Sequence, residues 1–183
     1  MKMKILSLVF LSLALAAVTA LSGCGAAANL LGLGESEPSL AISAAEQQTI
    51  IDAAVAYQTE GGVYQADSYI VTQLEKGFVI YGMLPGQSVF YTDKGTVEEG
   101  KGSYKALYGL MQIRPHPVYG YRTKLGKYEV LQDMYVATGK CFANETITVD
   151  GATETLGEGG GIQYVIFDYE TSLKLLEEIE LHE

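Results

Sequence analysis

The sequence predicts an α+β domain, a mostly antiparallel β-sheet with an N-terminal helix, a short middle helix and a C-terminal helix. Helical signatures at both ends bracket a series of short apolar runs separated by turn residues. Thirteen tyrosines and 21 glycines, with no tryptophan, suit strands joined by many tight turns.

The elements follow in chain order. Ser43-Ala44-Ala45-Glu46 has the capping-box pattern that opens a helix, and Ile50, Ile51, Ala54 and Val55 fall on one face of it. Gly61-Gly62 ends that helix. Tyr69 to Leu74 alternates as a strand, Glu75-Lys76-Gly77 turns the chain, and Phe78 to Leu84 returns, which predicts a hairpin. Pro85-Gly86 breaks the second strand, and Ser88 to Thr92 reads as a third. Gly95 to Gly102 reads as a polar, exposed loop, after which Ser103 caps a short helix carrying Leu107, Leu110 and Met111. In Arg114-Pro115-His116-Pro117 each proline pushes its predecessor into extended geometry, so the segment is not helical. Tyr128 to Val136 is a strand, and Thr146 to Val149 is another, closed by the hairpin turn Asp150-Gly151. The glycine loop Leu156 to Gly161 feeds an apolar strand, Ile162 to Phe167. Asp168 or Thr171 then caps a closing helix whose Leu173, Leu176 and Ile179 face the core.

The chain before Ser43 has a different character. Lys2 and Lys4 precede an uncharged apolar run from Ile5 to about Val18, and small residues close it at Leu21-Ser22-Gly23-Cys24. This matches a bacterial lipobox. Residues 1–23 are expected to be a lipoprotein signal peptide, with Cys24 the lipidated residue and a membrane partner through its acyl chains. Residues 24–42 form a flexible tether rich in Gly, Ala, Ser, Glu and Pro, and 43–183 a single domain. Gly25 after the cysteine, where Asp would favour inner-membrane retention, points to the outer membrane of a two-membrane cell. In a one-membrane cell the protein would face outward from the plasma membrane.

Charge narrows the function. The formal net charge is −10, and removal of Lys2 and Lys4 takes it to about −12. With two arginines in 183 residues, the chain is a poor nucleic-acid binder. With Cys24 lipidated, Cys141 has no intramolecular partner, so a disulfide framework is excluded and no Cys/His metal cluster is expected.

Three features could carry chemistry. The glycine loop Gly159-Gly160-Gly161 leading to Gln163-Tyr164 would let a ligand approach the backbone closely; a plain turn is the bland alternative. Arg114 and Arg122, with His116 held between prolines, could clamp a pyrophosphate, or form an ordinary solvated loop. Glu129, Asp133, Glu145 and Glu158 could stabilise an oxocarbenium-like centre or activate water, although each also fits a solubilising surface charge.

The C-terminal half resembles the tuberculosis-necrotizing-toxin family of NAD glycohydrolases. The family's Pro-Gly-x-Gly-x-Gln-Tyr segment aligns without gaps on Glu158-Gly159-Gly160-Gly161-Ile162-Gln163-Tyr164. Its upstream Tyr-x-Val strand looks like Tyr128-Glu129-Val130, running through Val136 to Gly139. The resemblance covers roughly Leu84 to Tyr164 and implies NAD as substrate, with no resident cofactor, and hydrolysis of the nicotinamide–ribose bond. It implies Gln163 as a contact to NAD. Joined with the three features above, the expected catalytic set is Gln163, His116 and Arg122, with NAD contacts from Gly159, Gly160, Gly161, Gln163 and Arg114. Glu158 stands at the family's Pro, and Val89-Phe90-Tyr91-Thr92 lacks the family's arginine. Arg114 or Arg122 replaces it only if the fold brings it close. Two readings therefore stand: a lipid-anchored glycohydrolase-like domain, active or inactive, with an inhibitor protein as partner, and a non-catalytic envelope lipoprotein that binds a protein or cell-wall partner through its tyrosine-rich strands.

Overall fold

A computed structural model describes residues 42–183 except 117, 119, 145, 146, 150, 151 and 155, with backbone only for 147–149 and 152–154. These residues belong to one compact unit, Leu40–Glu183. The signal and tether expectations, Cys24, Glu145 and the Asp150-Gly151 turn all lie outside the described residues.

The α+β class holds. Helix α1 spans Ala44–Gln58, and its capping box is complete: Ser43 Oγ accepts from the Glu46 N–H, and the Glu46 carboxylate accepts from the Ser43 N–H. One 3₁₀ turn, Glu60–Gly62, follows, with Gly61 at φ +79°. Strands β1 (Ile70–Leu74), β2 (Val79–Leu84) and β3 (Phe90–Tyr91) lead to helices α2 (Lys94–Glu99) and α3 (Tyr104–Leu110). Then come β4 (Lys124–Val130), β5 (Met134–Lys140), β6 (Ile147–Val149), β7 (Ala152–Glu154), β8 (Ile162–Val165), one helical turn α4 (Tyr169–Ser172) and β9 (Leu173–Glu180). These strands pair antiparallel, in sheets of order β1-β5-β8-β3 and β2-β4-β9 and a β6-β7 ribbon.

Three apolar clusters bind these layers. Leu74, Tyr91, Tyr128, Val136 and Tyr164 join residues of both larger sheets, and α3 seats Leu107 and Tyr108 against Tyr81, Met83 and Leu125. Ala54, with Ile50, Ile51 and Val55, lays α1 on Ala137 and Val165 of the four-stranded sheet. The predicted apolar face of α1 is thus the face it buries.

Four expectations are corrected. Neighbouring strands β1 and β2 do not form a hairpin; they join different sheets. Their turn is instead anchored to the β4–β5 turn, the Gly77 N–H bonding the Val130 carbonyl and the Lys76 N–H the Asp133 carboxylate. The expected strand Tyr128–Val136 is two strands, because Leu131, Gln132 and Asp133 make that exposed turn. Most of α2 falls in the expected loop Gly95–Gly102, and the helix is nucleated by the Asp93 side chain, which accepts from the Thr96 N–H at 2.8 Å.

The fourth correction concerns the C-terminus. A helix does follow Asp168, but it is a single turn, and Leu173, Leu176 and Ile179 lie on β9. Leu and Glu favour helix locally, yet β9 can pair with the open edge of β4, burying Leu173 while leaving Leu176 exposed. Lys124 meets Glu178 and Glu180 across that pair, and Lys127 meets Glu177. Pairing of the sheet edge overrides local propensity here.

Candidate functional site

A cleft of about 610 Å³ opens where the end of α1, strands β2, β3 and β8, and the chain following α3 meet. Tyr57 and Phe90 give it an aromatic wall, their rings edge-on with centroids 5.6 Å apart, and Phe167 lies edge-on to Tyr57 at 5.7 Å. Arg114, His116, Arg122 and Gln163 all line it. Both arginines of an acidic chain therefore share one cavity with a histidine. Glu60 is the acidic residue among those that line it.

Each polar group is set by local structure. His116 and Gly120 bridge to each other, with paired backbone bonds of 2.9 and 2.8 Å and Gly120 at φ +70°. His116 Nδ1 accepts from the Val118 N–H at 3.1 Å, so the neutral ring carries its proton on Nε2. The Arg122 N–H donates to the Tyr108 hydroxyl at 2.7 Å, and its Nη1 reaches the Met83 carbonyl at 3.5 Å. Gln163, buried on β8, accepts at Oε1 from the Tyr69 hydroxyl at 3.0 Å.

Gln112 supports the loop from below. It adopts φ +54°, and its Nε2 donates to the Gly109 and Gly157 carbonyls while Oε1 accepts from the Asn144 N–H. One buried side chain thus ties the end of α3 to the 141–144 and 156–161 loops. Gln58, also on the cleft, accepts from the Asp67 N–H at 2.7 Å. Sequence reading missed Gln58, Gln112, Tyr57 and Phe90. The proximity of Tyr57 and Phe90 arises only when α1 packs on the sheet, and nothing in the sequence marks Gln112 for left-handed backbone.

The glycine loop is not part of the cleft wall. A Cβ on Gly159 would stand 2.7 Å from the Cys141 carbonyl, and one on Gly161 would stand 2.9 Å from Thr96 Cγ2 and 3.0 Å from the Leu110 carbonyl. Gly159 and Gly160 also take positive φ, +67° and +97°. Tight packing against the chain itself accounts for Gly159 and Gly161, while a Cβ on Gly160 would meet only the Lys140 side chain at ordinary contact. Glu129, Asp133 and Glu158 do not line the cleft either; Asp133 instead anchors the Lys76 turn.

Behind Gln163 lies a buried polar group. Asp67 Oδ1 accepts from the Phe142 N–H at 2.7 Å, while Oδ2 is buried without a hydrogen-bond partner. Burial pushes the Asp67 carboxyl above its ordinary value, against the lowering effects of the Phe142 N–H and the nearby Gln58 and Tyr69 side chains. Burial likewise pushes the Tyr69 phenol and the Cys141 thiol far up, so Tyr69 keeps its proton and Cys141 is an inert core thiol.

A small α+β domain whose cationic, aromatic-walled cleft sits at the edge of an antiparallel sheet is the class these features define. The chain belongs to the Rhs1 C-terminal toxin domain family, whose model matches residues 46–168. A solved structure of Rhs1-CT in complex with its cognate immunity protein RhsI1 is similar, at 30% identity, covering 73% of this chain and 97% of that one with a TM-score of 0.63. A structure of Tse6 in complex with Tsi6 matches at 13% identity, over 72% of this chain and 96% of that one, with a TM-score of 0.39. No curated protein matches.

Proposed function

We propose that this toxin-family domain hydrolyses the nicotinamide–ribose bond of NAD, that an immunity protein is its partner, and that a lipid on Cys24 tethers it to the cell envelope. The observation that carries the enzymatic reading is the gathering of Arg114, Arg122, His116 and Gln163 in one aromatic-walled cleft. A dinucleotide needs cations for its diphosphate and flat apolar walls for its bases, and this cleft supplies both.

In this reading Arg114 and Arg122 hold the diphosphate, and His116 adds a donor from Nε2. Gln163 orients the nicotinamide-bearing ribose through a hydroxyl. Water forms a bond to ribose C1′ as the C1′–N bond breaks. The bonding electron pair returns to the pyridinium nitrogen, so nicotinamide leaves neutral and needs no proton donor. The attacking water gives its proton to solvent. Positioning and preorganised dipoles, rather than a strong base, would supply the rate; this agrees with a lining in which Glu60 is the one carboxylate.

The immunity-protein partner is supported by Rhs1-CT, which was solved with its cognate one. The rival reading, an envelope module binding through tyrosine-rich strands, has less support. Tyr69, Tyr81, Tyr91, Tyr108, Tyr128 and Tyr164 are buried in the core and present no open face.

Calorimetric titration of the purified chain with NAD tests the cleft. Binding should be lost in the Arg114→Ala, Arg122→Ala double variant and retained when the surface pair Lys94 and Glu98 is exchanged for alanines. NAD binding that survives loss of both arginines would refute the cleft assignment. For the tether, the chain should take up radiolabelled palmitate in a bacterial host and enter the membrane fraction. Unchanged labelling in Cys24→Ala would sink the lipoprotein reading.

A further inference from the structure

We infer that Tyr69 is a positioning residue for Gln163, fixing the amide so that its Nε2 donors are the end offered to the dinucleotide; this rests on the glycohydrolase reading above. Tyr69 lies just before β1, 94 positions from Gln163 in sequence, and its hydroxyl donates to Gln163 Oε1 at 3.0 Å with both side chains buried. A glutamine amide can present either end to a ligand, and its hydrogen-bond partner decides which. The Tyr69 hydroxyl also lies near enough to the Asp67 carboxylate for each to perturb the other, but the hydrogen bond with proper distance and angle is the one to Gln163 Oε1. With Oε1 so engaged, the Nε2 donors are the end the cleft can use.

Two further observations show that the contact is built into the fold. Gly139 on β5 is the cross-strand partner of Gln163, and the segment carrying Tyr69 rests where a Gly139 side chain would be. A Cβ there would stand 3.1 Å from the Ser68 carbonyl, 3.2 Å from Tyr69 Cδ1 and 3.4 Å from Asp67 Cβ. The missing side chain lets Asp67-Ser68-Tyr69 lie close on the sheet beside Gln163. Asp67 in turn pins the segment at both ends of its own backbone and side chain: its N–H donates to Gln58, and its Oδ1 accepts from Phe142. Leaving Oδ2 buried without a hydrogen-bond partner costs stability.

Tyr69→Phe removes the hydroxyl and keeps the ring in its core cluster. For the purified chain, kcat for NAD should fall on the order of tenfold to a hundredfold while KM stays within about twofold, since binding by the arginines is untouched. The side-chain amide resonances of Gln163, assigned by their absence in Gln163→Ala, should move in Tyr69→Phe and exchange faster with solvent. A wild-type kcat in Tyr69→Phe overturns the inference. If the unmodified chain does not turn over NAD, the glycohydrolase reading fails by itself, and the resonances decide: a shift sustains the Tyr69 hold on Gln163, and unmoved resonances refute it.

Discussion

Single residues explain why the cleft keeps its form, and they differ in how legible they are. Gln163 stands out in the sequence because it follows three glycines, and those glycines are required, Gly159 and Gly161 for close packing with the chain itself and Gly159 and Gly160 for their positive φ. Gly159→Ala should therefore destabilise the domain by more than about 1 kcal/mol, since φ is positive and a Cβ would strike the Cys141 carbonyl; chemical denaturation measures it, and an unchanged midpoint would contradict the packing account. Asp67 and Tyr69 carry no sequence signal, because their meaning comes from contacts with Phe142 and Gln163, far along the chain. Asp67 also makes a pH prediction. Its folded pKa is raised by burial above the ordinary 3.8, so the folded state binds the proton more tightly than the unfolded state. Stability is then lost as pH rises from about 4 upward through the folded pKa. The melting temperature of Asp67→Asn minus that of the wild type should increase over this window, and a pH-independent difference would show that Asp67 is not perturbed.

At the scale of elements, capping signals were the most readable and pairing partners the least. Ser43 and Ser103 both cap the helices expected of them. Asp93 caps α2 by the same chemistry, but Gly95, Thr96 and Val97 have poor helix propensity and masked it. Asp93→Ala should cost about 1 kcal/mol, read as a fall in the denaturation midpoint, and should disturb Thr96, whose hydroxyl accepts from the Ile162 N–H at the start of β8. No loss of stability would mean that tertiary contacts, not the cap, form α2. The missed hairpin and the missed β9 share one cause: a strand's own sequence sets its alternation but not its neighbour. Here the β1–β2 turn is captured by Val130 and Asp133, and the last eight strand residues are captured by the open edge of β4.

For the whole molecule, the α+β class could be read from order and composition, and a cleft shared by distant residues could not. Arg114 and Arg122 flank a short loop closed by His116 and Gly120, so their nearness is local. Their union with Gln163, Tyr57 and Phe90 requires α1 and both sheets to be assembled. Of the acidic residues that glycosidic chemistry suggested, Glu129, Asp133 and Glu158 lie on a strand, a turn and a loop away from the cleft, while Arg114, Arg122 and His116 line it. A chain of net charge −10 concentrates both its arginines in one cavity, and the proposed diphosphate binding rests on that. Under the proposed function that cavity is where NAD would bind in this member of the Rhs1 C-terminal toxin domain family. The most direct measurement is NAD consumption by the purified chain beside Gln163→Ala, with folding of both checked by thermal melting. The account predicts release of nicotinamide by the unmodified chain and its loss in a folded Gln163→Ala variant. Equal turnover in both, or none in either with no NAD bound, would contradict it.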